Sequence, residues 1–403
     1  MTLHLACDND IYPPLFGATQ RLFGLARGMA TRLDVRALCV VPNRSRGAAA
    51  ERVMNVEIHR LRSWHTSVAW WLERAGLAPF FTAEAGHRRR ADAYRAVLGE
   101  PAQVLMCDLG LTGLFAGAER QFRVYHAHNV EAERWHSVAP RVMGRERWGV
   151  KLAELERRAV AESDCCVACT EADAATLRSL HGARDVIVAE NGYDETSIAP
   201  SDEHARARAR AQLGIPESAY VAAFVGGDWA PNHEALAWLV EEVMPALAND
   251  GFVLLAVGAV AQRFAGRSER WLVARPASPD LGAILAAADA GLNPVTSGGG
   301  SNVKLPTYVA AGLAVLSTPF GLRGHTRLTT AVMSVERARF ADALRLRPRG
   351  WAARGEAPPP ALADHAWGTI GARLADSLAT RAAVRAIARV PGATGDVASG
   401  ASS

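Results

Sequence analysis

A glycine triplet followed by polar residues and a lysine is the segment whose residue types and spacing best suit chemistry. It reads TSGGGSNVK and supplies Gly298, Gly299, Gly300, Ser301, Asn302 and Lys304. Glycine permits positive φ and a close approach to the backbone. The apolar pattern that follows predicts a helix with Ser301 or Asn302 as N-cap, whose free N–H groups, with Lys304 nearby, favour an anion such as phosphate. A flexible loop with a solvated Lys304 fits this stretch equally well.

Two other loops follow predicted strands. The segment YPPLFGATQR places Gly17 at the start of a helix, and VGGDWAPN ends a strand at Gly226 and Gly227. Loops after parallel strands lie at the carboxyl edge of a sheet, where ligands bind. We therefore expect Gly17 and Gly227 to face a ligand cleft, and the alternative for each loop is a simple turn.

A histidine and an asparagine end a third strand, in VYHAHNVEAERW. At the carboxyl end of a strand, His128 could orient a hydroxyl group or accept its proton. The alternative is a histidine that is hydrogen-bonded within its own loop. His126 alternates with His128 along the strand and is predicted to be packed, and Asn129 could equally cap the following helix.

Several well-known catalytic motifs are absent from the sequence. There is no GxxxxGK[ST], HExxH or GxSxG, and no GxGxxG follows the first strand, which disfavours a nicotinamide enzyme. Cys166 and Cys169 have CxxC spacing without a second such pair, so we expect reduced core thiols rather than a zinc site. No carboxylate cluster suits a hard cation, and we predict no metal.

Short apolar runs alternate with amphipathic ones along the chain, which predicts an α/β protein with parallel sheets covered by helices on both faces. The predicted strands are LHLACD, VRALCVVP, EIHRLR, QVLMCDL, FRVYHAHN, CCVACT and DVIVAEN, then YVAAFVGGD, FVLLAVGA, RWLVARP, AGLNPV and AVLSTP. The charged stretch SDEHARARARAQLGIPESA separates the two sets. With 403 residues, two doubly wound, Rossmann-like domains facing across a cleft are expected.

We place the domains at residues 1–195 and 196–364, followed by a helix over 365–390 and a disordered tail over 391–403. The net charge of +4 does not argue for nucleic acid, but it suits an anionic substrate or a loosely held anionic membrane surface. No signal peptide and no apolar run of about 18 residues are found, so we expect a cytoplasmic protein with peripheral contact at the inner membrane face.

The order and spacing of several segments resemble GT-B fold retaining glycosyltransferases of group 1, a family 4-like group that includes enzymes of bacterial polysaccharide biosynthesis. The segments are YPPLFGATQR, HNVE, ELERRAVAESDCCVACTEADAATL, ENGYD, AAFVGGDWAPNHEALAWLVEEVMPAL, LAAADAGLNPVTSGGGSNVKLPTYVAAGLAVLSTPFGLRG and HAWGTIGARLA. They cover roughly residues 1–390. The resemblance implies that the C-terminal helix crosses back to the first domain.

The resemblance also implies a metal-independent transferase. It would bind a nucleotide sugar mainly with its second domain and a glycan, lipid-linked or small-molecule acceptor mainly with its first, without a cofactor and without a protein nucleophile. His128 and Lys304 would be catalytic, and Gly17 and Asn129 would face the acceptor. The donor would contact Gly227, Gly298, Gly299, Gly300, Ser301, Asn302, Lys304 and Thr307.

Three departures from the family pattern keep alternatives open. Gly299 and Thr307 stand where the family often has two glutamates, ENG replaces PNG at Glu190, and GGDWAPNHEA lacks the usual Arg/Lys pair. A catalytically degenerate partner or sugar-binding protein is the first alternative, and a sugar-nucleotide epimerase is the second. Nucleotide binding and acceptor-free conversion distinguish them from a transferase.

Overall fold

The computed structural model describes residues 1–138 and 142–388, which form two α/β domains, each built on one sheet. Within these residues the first sheet has eight strands in the order β3-β4-β2-β1-β5-β6-β7-β8, parallel except for the β3–β4 pair. The strands are β1 Thr2–Cys7, β2 Asp34–Pro42, β3 Ala50–Val53, β4 Val56–Ser63, β5 Val104–Cys107, β6 Phe122–His126, β7 Cys165–Ala168 and β8 Val186–Val188.

The second sheet has six parallel strands among the described residues, in the order β11-β10-β9-β12-β13-β14. They are β9 Tyr220–Val225, β10 Phe252–Val257, β11 Leu272–Arg275, β12 Ala290–Asn293, β13 Ala314–Ser317 and β14 Met333–Ser334. Five strands, β5, β7, β10, β12 and β13, are buried along their whole length. Helices cover both faces of each sheet, and each sheet separates two hydrophobic clusters. The predicted pair of doubly wound domains is confirmed.

Thirteen α-helices connect and cover the strands within the described parts of the chain. They are α1 Gly17–Met29, α2 Trp64–Arg74, α3 Glu84–Arg89, α4 Ala91–Leu98, α5 Glu131–Val138, α6 Arg145–Glu162, α7 Glu171–His181, α8 Glu203–Leu213, α9 Ala230–Trp238, α10 Leu281–Leu285, α11 Lys304–Ala310, α12 Phe340–Arg345 and α13 Trp367–Ala388. Between β5 and β6 the chain forms a 3-10 turn, Leu109–Phe115.

The last helix crosses back to the first domain, as the resemblance implied. Gly28 of α1 and Gly371 of α13 are so close that a Cβ on Gly371 would lie 2.6 Å from the Gly28 Cα. Arg381 of the same helix forms a salt bridge with Asp185 at 2.6 Å. Two helices pack this closely only where side chains are absent. Helix α13 therefore connects the end of the second domain to the first domain. The tail predicted over 391–403 lies outside the described residues.

Three helices, α2, α8 and α12, and two strands were not predicted. Helix α2 exposes much of its apolar surface, only Ala209 and Arg210 of α8 are buried, and α12 has six residues. The edge strands β3 and β14 are short and partly exposed. In the described residues α5 ends at Val138 and α6 begins at Arg145, with Gly144 as its N-cap in the left-handed region.

Strand order places the two candidate ligand regions. The neighbours β2 and β5 flank β1, and β10 and β12 flank β9, so each sheet reverses its strand order at its centre. Crevices for ligands form at the carboxyl ends of strands at such switch points. The loops after β1, β5 and β6 and those after β9 and β12 therefore define the site. No helix among the described residues is long and apolar enough to cross a membrane.

Candidate active site

Two carboxylates and two histidines meet at the carboxyl edge of the first sheet. Asp8 follows β1, Asp108 follows β5, and His126 and His128 lie at and just beyond the end of β6. Asp108 Oδ1 lies 2.9 Å from His126 Nδ1 and 3.2 Å from His128 Nε2. Adjacent parallel strands bring these four residues together although more than 100 positions separate the first from the last.

The two carboxyl groups have opposite pKa shifts. Burial alone would raise the pKa of Asp108, but the charge of His128 and the hydrogen bonds from both histidines lower it to about 2. Burial raises the pKa of Asp8 to about 7, and the neighbouring charge of Asp108 adds to this shift. One carboxylate is thus held ionised, and the other can exchange a proton near neutral pH.

Arg21 of α1 holds this edge in place through hydrogen bonds. Its side chain is fully buried and donates from Nε to His126 Nε2 at 3.1 Å. Its Nη1 donates to the Ala189 carbonyl at 2.7 Å and to Asn191 Oδ1 at 3.1 Å. Because Nε2 of His126 accepts from arginine, the His126 proton must lie on Nδ1 and point to Asp108.

The trio Asp108, His126 and His128 also has metal-like spacing, since its ligand atoms lie within 4.8 Å of one another. Both ring nitrogens of His126 are already used, one towards Asp108 and one towards Arg21. A cation here would face a fixed guanidinium and would have to break these hydrogen bonds. The arrangement therefore fits a hydrogen-bonded network better than a metal centre, and the prediction of no metal is kept.

The glycine triplet after β12 meets the first domain rather than open space. Gly298 has a φ of 127°, and a Cβ there would lie 2.8 Å from Trp229. A Cβ on Gly299 would lie 2.9 Å from Asn129 Oδ1, and one on Gly300 would lie 2.8 Å from the His128 carbonyl oxygen. At Gly299 and Gly300, therefore, the group that lies close to the backbone is the first domain and not a ligand as expected.

The polar pair after the triplet holds the loop in place. Asn191 donates to the carbonyl and the hydroxyl of Ser301 at 2.9 and 3.0 Å, and Asn302 donates to the Gly321 carbonyl at 3.1 Å. The prediction that Ser301 or Asn302 is the N-cap is wrong, because α11 begins at Lys304 and Val303 is its N-cap with helical dihedral angles. The chain turns helical without a side-chain cap.

Lys304 stands half-buried beside this loop. Its Nζ donates to Asn232 Oδ1 at 2.8 Å and lies 4.3 Å from the centre of the Phe224 ring. Burial lowers the pKa of Lys304 to about 7, and no carboxylate among the described residues forms a salt bridge with it. A cation in this position gains much from an added anion.

A second cation, which the sequence analysis did not select, borders the same loop. Arg323 follows β13 and donates to the Gly299 carbonyl at 2.7 Å, with its guanidinium 4.0 Å from the Phe320 ring centre. Burial lowers the pKa of Arg323 to about 10. Its position four residues beyond the predicted strand AVLSTP was the available signal.

Two glycines that were expected to face the cleft lie where the domains meet. A Cβ on Gly17 would stand 3.6 Å from Val303, and one on Gly227 would stand 3.2 Å from the Cβ of Phe16. The structure thus brings the loop before α1 against the loop after β9 and the start of α11. Neither glycine has a positive φ. Close contact between domains is therefore the physical role that the structure shows for them.

Thr307 is buried one turn into α11, and its hydroxyl donates to the Val303 carbonyl at 3.0 Å. A small cavity of about 70 Å³ lies beside it, between the domains, and its walls include Tyr193, Ser278 and Trp367. The threonine hydroxyl proton is committed within its own helix. Only its lone pairs remain for another group.

Residues 219–346 match the family model for glycosyl transferases group 1. Among curated proteins no sequence matches the chain. The match spans the sheet of the second domain from β9 to β14, together with the glycine triplet, Lys304 and Arg323. It confirms the predicted resemblance, and it makes this part of the second domain similar to glycosyl transferases group 1.

Several solved structures share the whole fold at low identity. Sucrose-phosphate synthase from Thermosynechococcus elongatus is 16% identical with a TM-score of 0.64, over 96% of this chain and 97% of its own. WaaG, a glycosyltransferase of lipopolysaccharide biosynthesis, is 19% identical with a TM-score of 0.57, over 96% and 100%. HepE from Anabaena, solved with UDP and glucose, is 14% identical with a TM-score of 0.55, over 96% and 99%. These likenesses confirm the predicted GT-B fold.

Proposed function

We propose that this protein transfers a sugar from a nucleoside diphosphate donor to a hydroxyl group of an acceptor. Lys304 and Arg323 would hold the donor diphosphate beside the glycine triplet, and His128 and Asp108 would hold the acceptor hydroxyl. The observation that carries the proposal is the pair of half-buried cations at one loop, neither of which forms a salt bridge with a carboxylate in the described parts of the chain.

Unpaired cations are costly inside a protein, and this cost indicates a missing partner. Burial disfavours the charged form of both groups, which explains the lowered pKa values of Lys304 and Arg323. A diphosphate carries the charge and the acceptor oxygens that would satisfy both through short charge-assisted hydrogen bonds. The backbone around Gly298, which has a φ of 127°, leaves no side chain on that strip of the loop.

The reaction breaks the bond between the sugar C1 and the diphosphate oxygen and forms a bond between C1 and the acceptor oxygen. Lys304 and Arg323 would stabilise the charge that develops on the leaving diphosphate. The acceptor proton would pass to the departing phosphate oxygen on the same face of the sugar, which gives retention. His128, whose ring is oriented by Asp108 at 3.2 Å, would hold the acceptor hydroxyl near C1, on the face from which the diphosphate leaves.

A uridine diphosphate sugar is the first donor to test, because HepE, which shares this fold, was solved in complex with UDP-glucose. A glycan, a lipid-linked compound or a small molecule remains the proposed class of acceptor. The proposal requires no metal and no cofactor besides the donor. A cytoplasmic location follows from the need for nucleotide sugars.

Proton uptake on nucleotide binding provides a direct test. With a pKa of about 7, Lys304 is largely neutral at pH 8, and a bound diphosphate should protonate it. Calorimetric titration of UDP in buffers with different ionisation enthalpies should therefore show uptake of a large fraction of one proton. Lys304→Arg, which is always charged, should bind UDP without this uptake, and Lys304→Met should bind it weakly.

The outcomes separate the proposal from a degenerate protein. The hydroxyl of Thr307 bonds within its own helix, which favours weak binding of a ribose and supports a non-catalytic partner as the second candidate. UDP binding with Lys304-dependent proton uptake and release of UDP from a UDP-sugar supports the transferase. Absence of binding by UDP, GDP and ADP would reject it in favour of the degenerate partner.

A further inference from the structure

Helix α2 presents an apolar ridge to the outside of the first domain. Trp64, Val68 and Trp71 are 53%, 44% and 62% exposed, and they follow one another at the i, i+4 and i+7 spacing of one helical face. Large apolar side chains in a row on the surface mark a contact that the folded chain itself does not make.

The opposite face of α2 fixes this ridge in place. Thr66 and Ala69 are buried, half a turn away from the exposed row. The side chain of Ser63 caps the helix by accepting from the Thr66 amide. Thr66 Oγ1 also lies 3.0 Å from His87 Nε2 of α3. Because the helix is capped and packed along its inner side, the tryptophans cannot turn inward without unfolding it.

Neighbouring residues extend the apolar surface beyond the helix. Leu77 follows α2 and is exposed, and Met143, which is 71% exposed, donates from its amide to the Gly76 carbonyl at 3.0 Å. We call Trp64, Val68, Trp71, Leu77 and Met143 the α2 ridge. Folded proteins normally expose single, scattered apolar residues. The α2 ridge instead groups five of them on one side of the domain.

Exposed arginines surround the α2 ridge. The guanidinium of Arg74 lies 4.8 Å from the Trp70 ring centre. Burial, and then the charges of Arg90 and Arg89, lower the pKa of His65, which is stacked on Trp64. Of the nearby carboxylates, Glu84 is buried in salt bridges with Arg88 and Arg158, and Glu73 accepts from the amide of Phe80. The exposed Arg74, Arg89 and Arg90 outnumber Glu73, so this side of the ridge has a net positive charge.

We propose that the α2 ridge binds the surface of an anionic lipid bilayer. Tryptophan places an apolar ring and a polar N–H at the level of the headgroups, and arginines pair with anionic lipid phosphates. A protein partner or a second copy would bury the apolar row equally well. Neither would by itself explain a row flanked by unpaired arginines, whose charges complement those of an anionic lipid surface.

The α2 ridge lies one layer from the candidate acceptor region. Thr66 contacts His87, His87 Nδ1 lies 3.0 Å from the Gly110 carbonyl, and a Cβ on Gly110 would stand 2.6 Å from Asp8. A bilayer on the α2 ridge would thus bring a lipid-linked acceptor to the carboxyl edge of the first sheet. This last step rests on the proposed function, whereas binding to the bilayer does not.

Co-sedimentation with vesicles tests the proposal without any substrate. Vesicles of phosphatidylcholine and vesicles that also contain phosphatidylglycerol are compared, with the wild-type chain, Trp64→Ser/Trp71→Ser and Arg89→Glu/Arg90→Glu. The expected result is binding to the anionic vesicles only, weakened by about tenfold or more in each double variant and by added salt. Leu346→Ser removes a residue of the second domain that is 77% exposed, and it should bind like the wild type.

Three outcomes would overturn the proposal: no binding of the wild type to anionic vesicles, unchanged binding by both double variants, and equal binding to neutral vesicles. Sedimentation velocity without lipid adds a fourth, because a dimer that Trp64→Ser/Trp71→Ser abolishes would assign the ridge to a second copy. UDP binding by each variant is measured in parallel, so that failure of the α2 ridge and failure of the transferase proposal are separate results.

Discussion

The carboxyl edge of the first sheet and the glycine loop of the second domain face one another, but their charges are arranged in opposite ways. At the first edge Asp108 is paired with two histidines, and Arg21 donates to four groups. Only a few buried atoms of this edge, among them Arg21 Nη2 and Asp108 Oδ2, have no hydrogen-bond partner. At the loop, Lys304 and Arg323 donate to neutral groups, an amide oxygen and a carbonyl. The charges of the first region are thus largely paired with one another, whereas those of the second can take up an anion.

This difference distinguishes residues that stabilise the fold from residues that can bind a ligand. A buried network that is satisfied internally loses stability when one member is removed, because the others are left without partners. An unpaired buried cation works the other way, since its removal relieves a desolvation cost. Substitutions in the two regions should therefore change the free energy of unfolding in opposite directions.

Arg21→Met should have the largest effect on folding. It leaves His126 Nε2, the Ala189 carbonyl and Asn191 Oδ1 without their donor, in a region where Arg21 is fully buried. The free energy of unfolding should fall by about 3–5 kcal/mol, as denaturant titration would measure. Arg27→Met, on the same helix but half-buried, is the matched control and should cost clearly less. A loss below about 1 kcal/mol would show that the hydrogen bonds of Arg21 contribute little to the stability of the fold.

Lys304→Met should reverse this pattern. Turnover should fall by about 100- to 1,000-fold, because the cation beside the leaving diphosphate is lost. The free energy of unfolding at pH 7 should rise by about 1–2 kcal/mol, because the lowered pKa of Lys304 marks a charge that the folded state disfavours. Turnover is measured as release of UDP under saturating donor. Loss of stability, or turnover within a few-fold of the wild type, would contradict the assignment.

Much of the fold was predictable, because continuous apolar strands separated by amphipathic helices indicate buried parallel sheets. Helix α2 was missed because Trp64, Val68 and Trp71 face outward, so its apolar period gives no inward stripe. Asp8 and Asp108 had a signal, since both lie at the carboxyl ends of predicted strands, in LHLACD and QVLMCDL. Arg21 had none, because an arginine in an amphipathic helix is normally exposed and only the tertiary fold buries it.

Sequence also suggested the glycine triplet, but for a different reason from the one that the structure gives. Gly299 and Gly300 were expected to admit a ligand, yet side chains there would meet Asn129 and the His128 carbonyl of the other domain. Whether a missing side chain makes room for a ligand or for a distant part of the chain depends on the packing of two domains. A single sequence does not encode that choice locally.

Asp8→Asn should change how stability depends on pH. The pKa of Asp8 is raised to about 7 in the folded state, so the proton that it keeps stabilises the fold at low pH, and this contribution is lost as pH rises from about 4 to about 7. Asparagine has no ionisable proton, so the stability of the variant does not fall in this way. The free energy of unfolding of Asp8→Asn relative to wild type should therefore rise by on the order of 2–4 kcal/mol over that window.

The comparison between variant and wild type matters because buried histidines titrate in the opposite sense. Burial lowers the pKa of His126 to about 3 and of His325 to about 4, so their contributions are lost as pH falls below about 6.5. These terms cancel in the difference between the two proteins. A flat difference between pH 4 and 7 would show that neither burial nor the charge of Asp108 raises the pKa of Asp8 in the folded protein.

Thr307→Glu should have the smallest effect. It tests how the second domain holds the ribose of the nucleotide, whereas Lys304 and Arg323 concern the diphosphate. The threonine hydroxyl is bonded to the Val303 carbonyl, and a cavity of about 70 Å³ beside it can receive a longer side chain. A glutamate there would accept hydrogen bonds from both ribose hydroxyls and should tighten UDP binding by about 1–2 kcal/mol in calorimetric titration. Thr307→Gln, similar in shape but uncharged, should gain less. Weaker binding by the glutamate variant would mean that its carboxylate stands near the phosphates, and the nucleotide would then lie in a different pose from the one in which Lys304 and Arg323 hold its diphosphate.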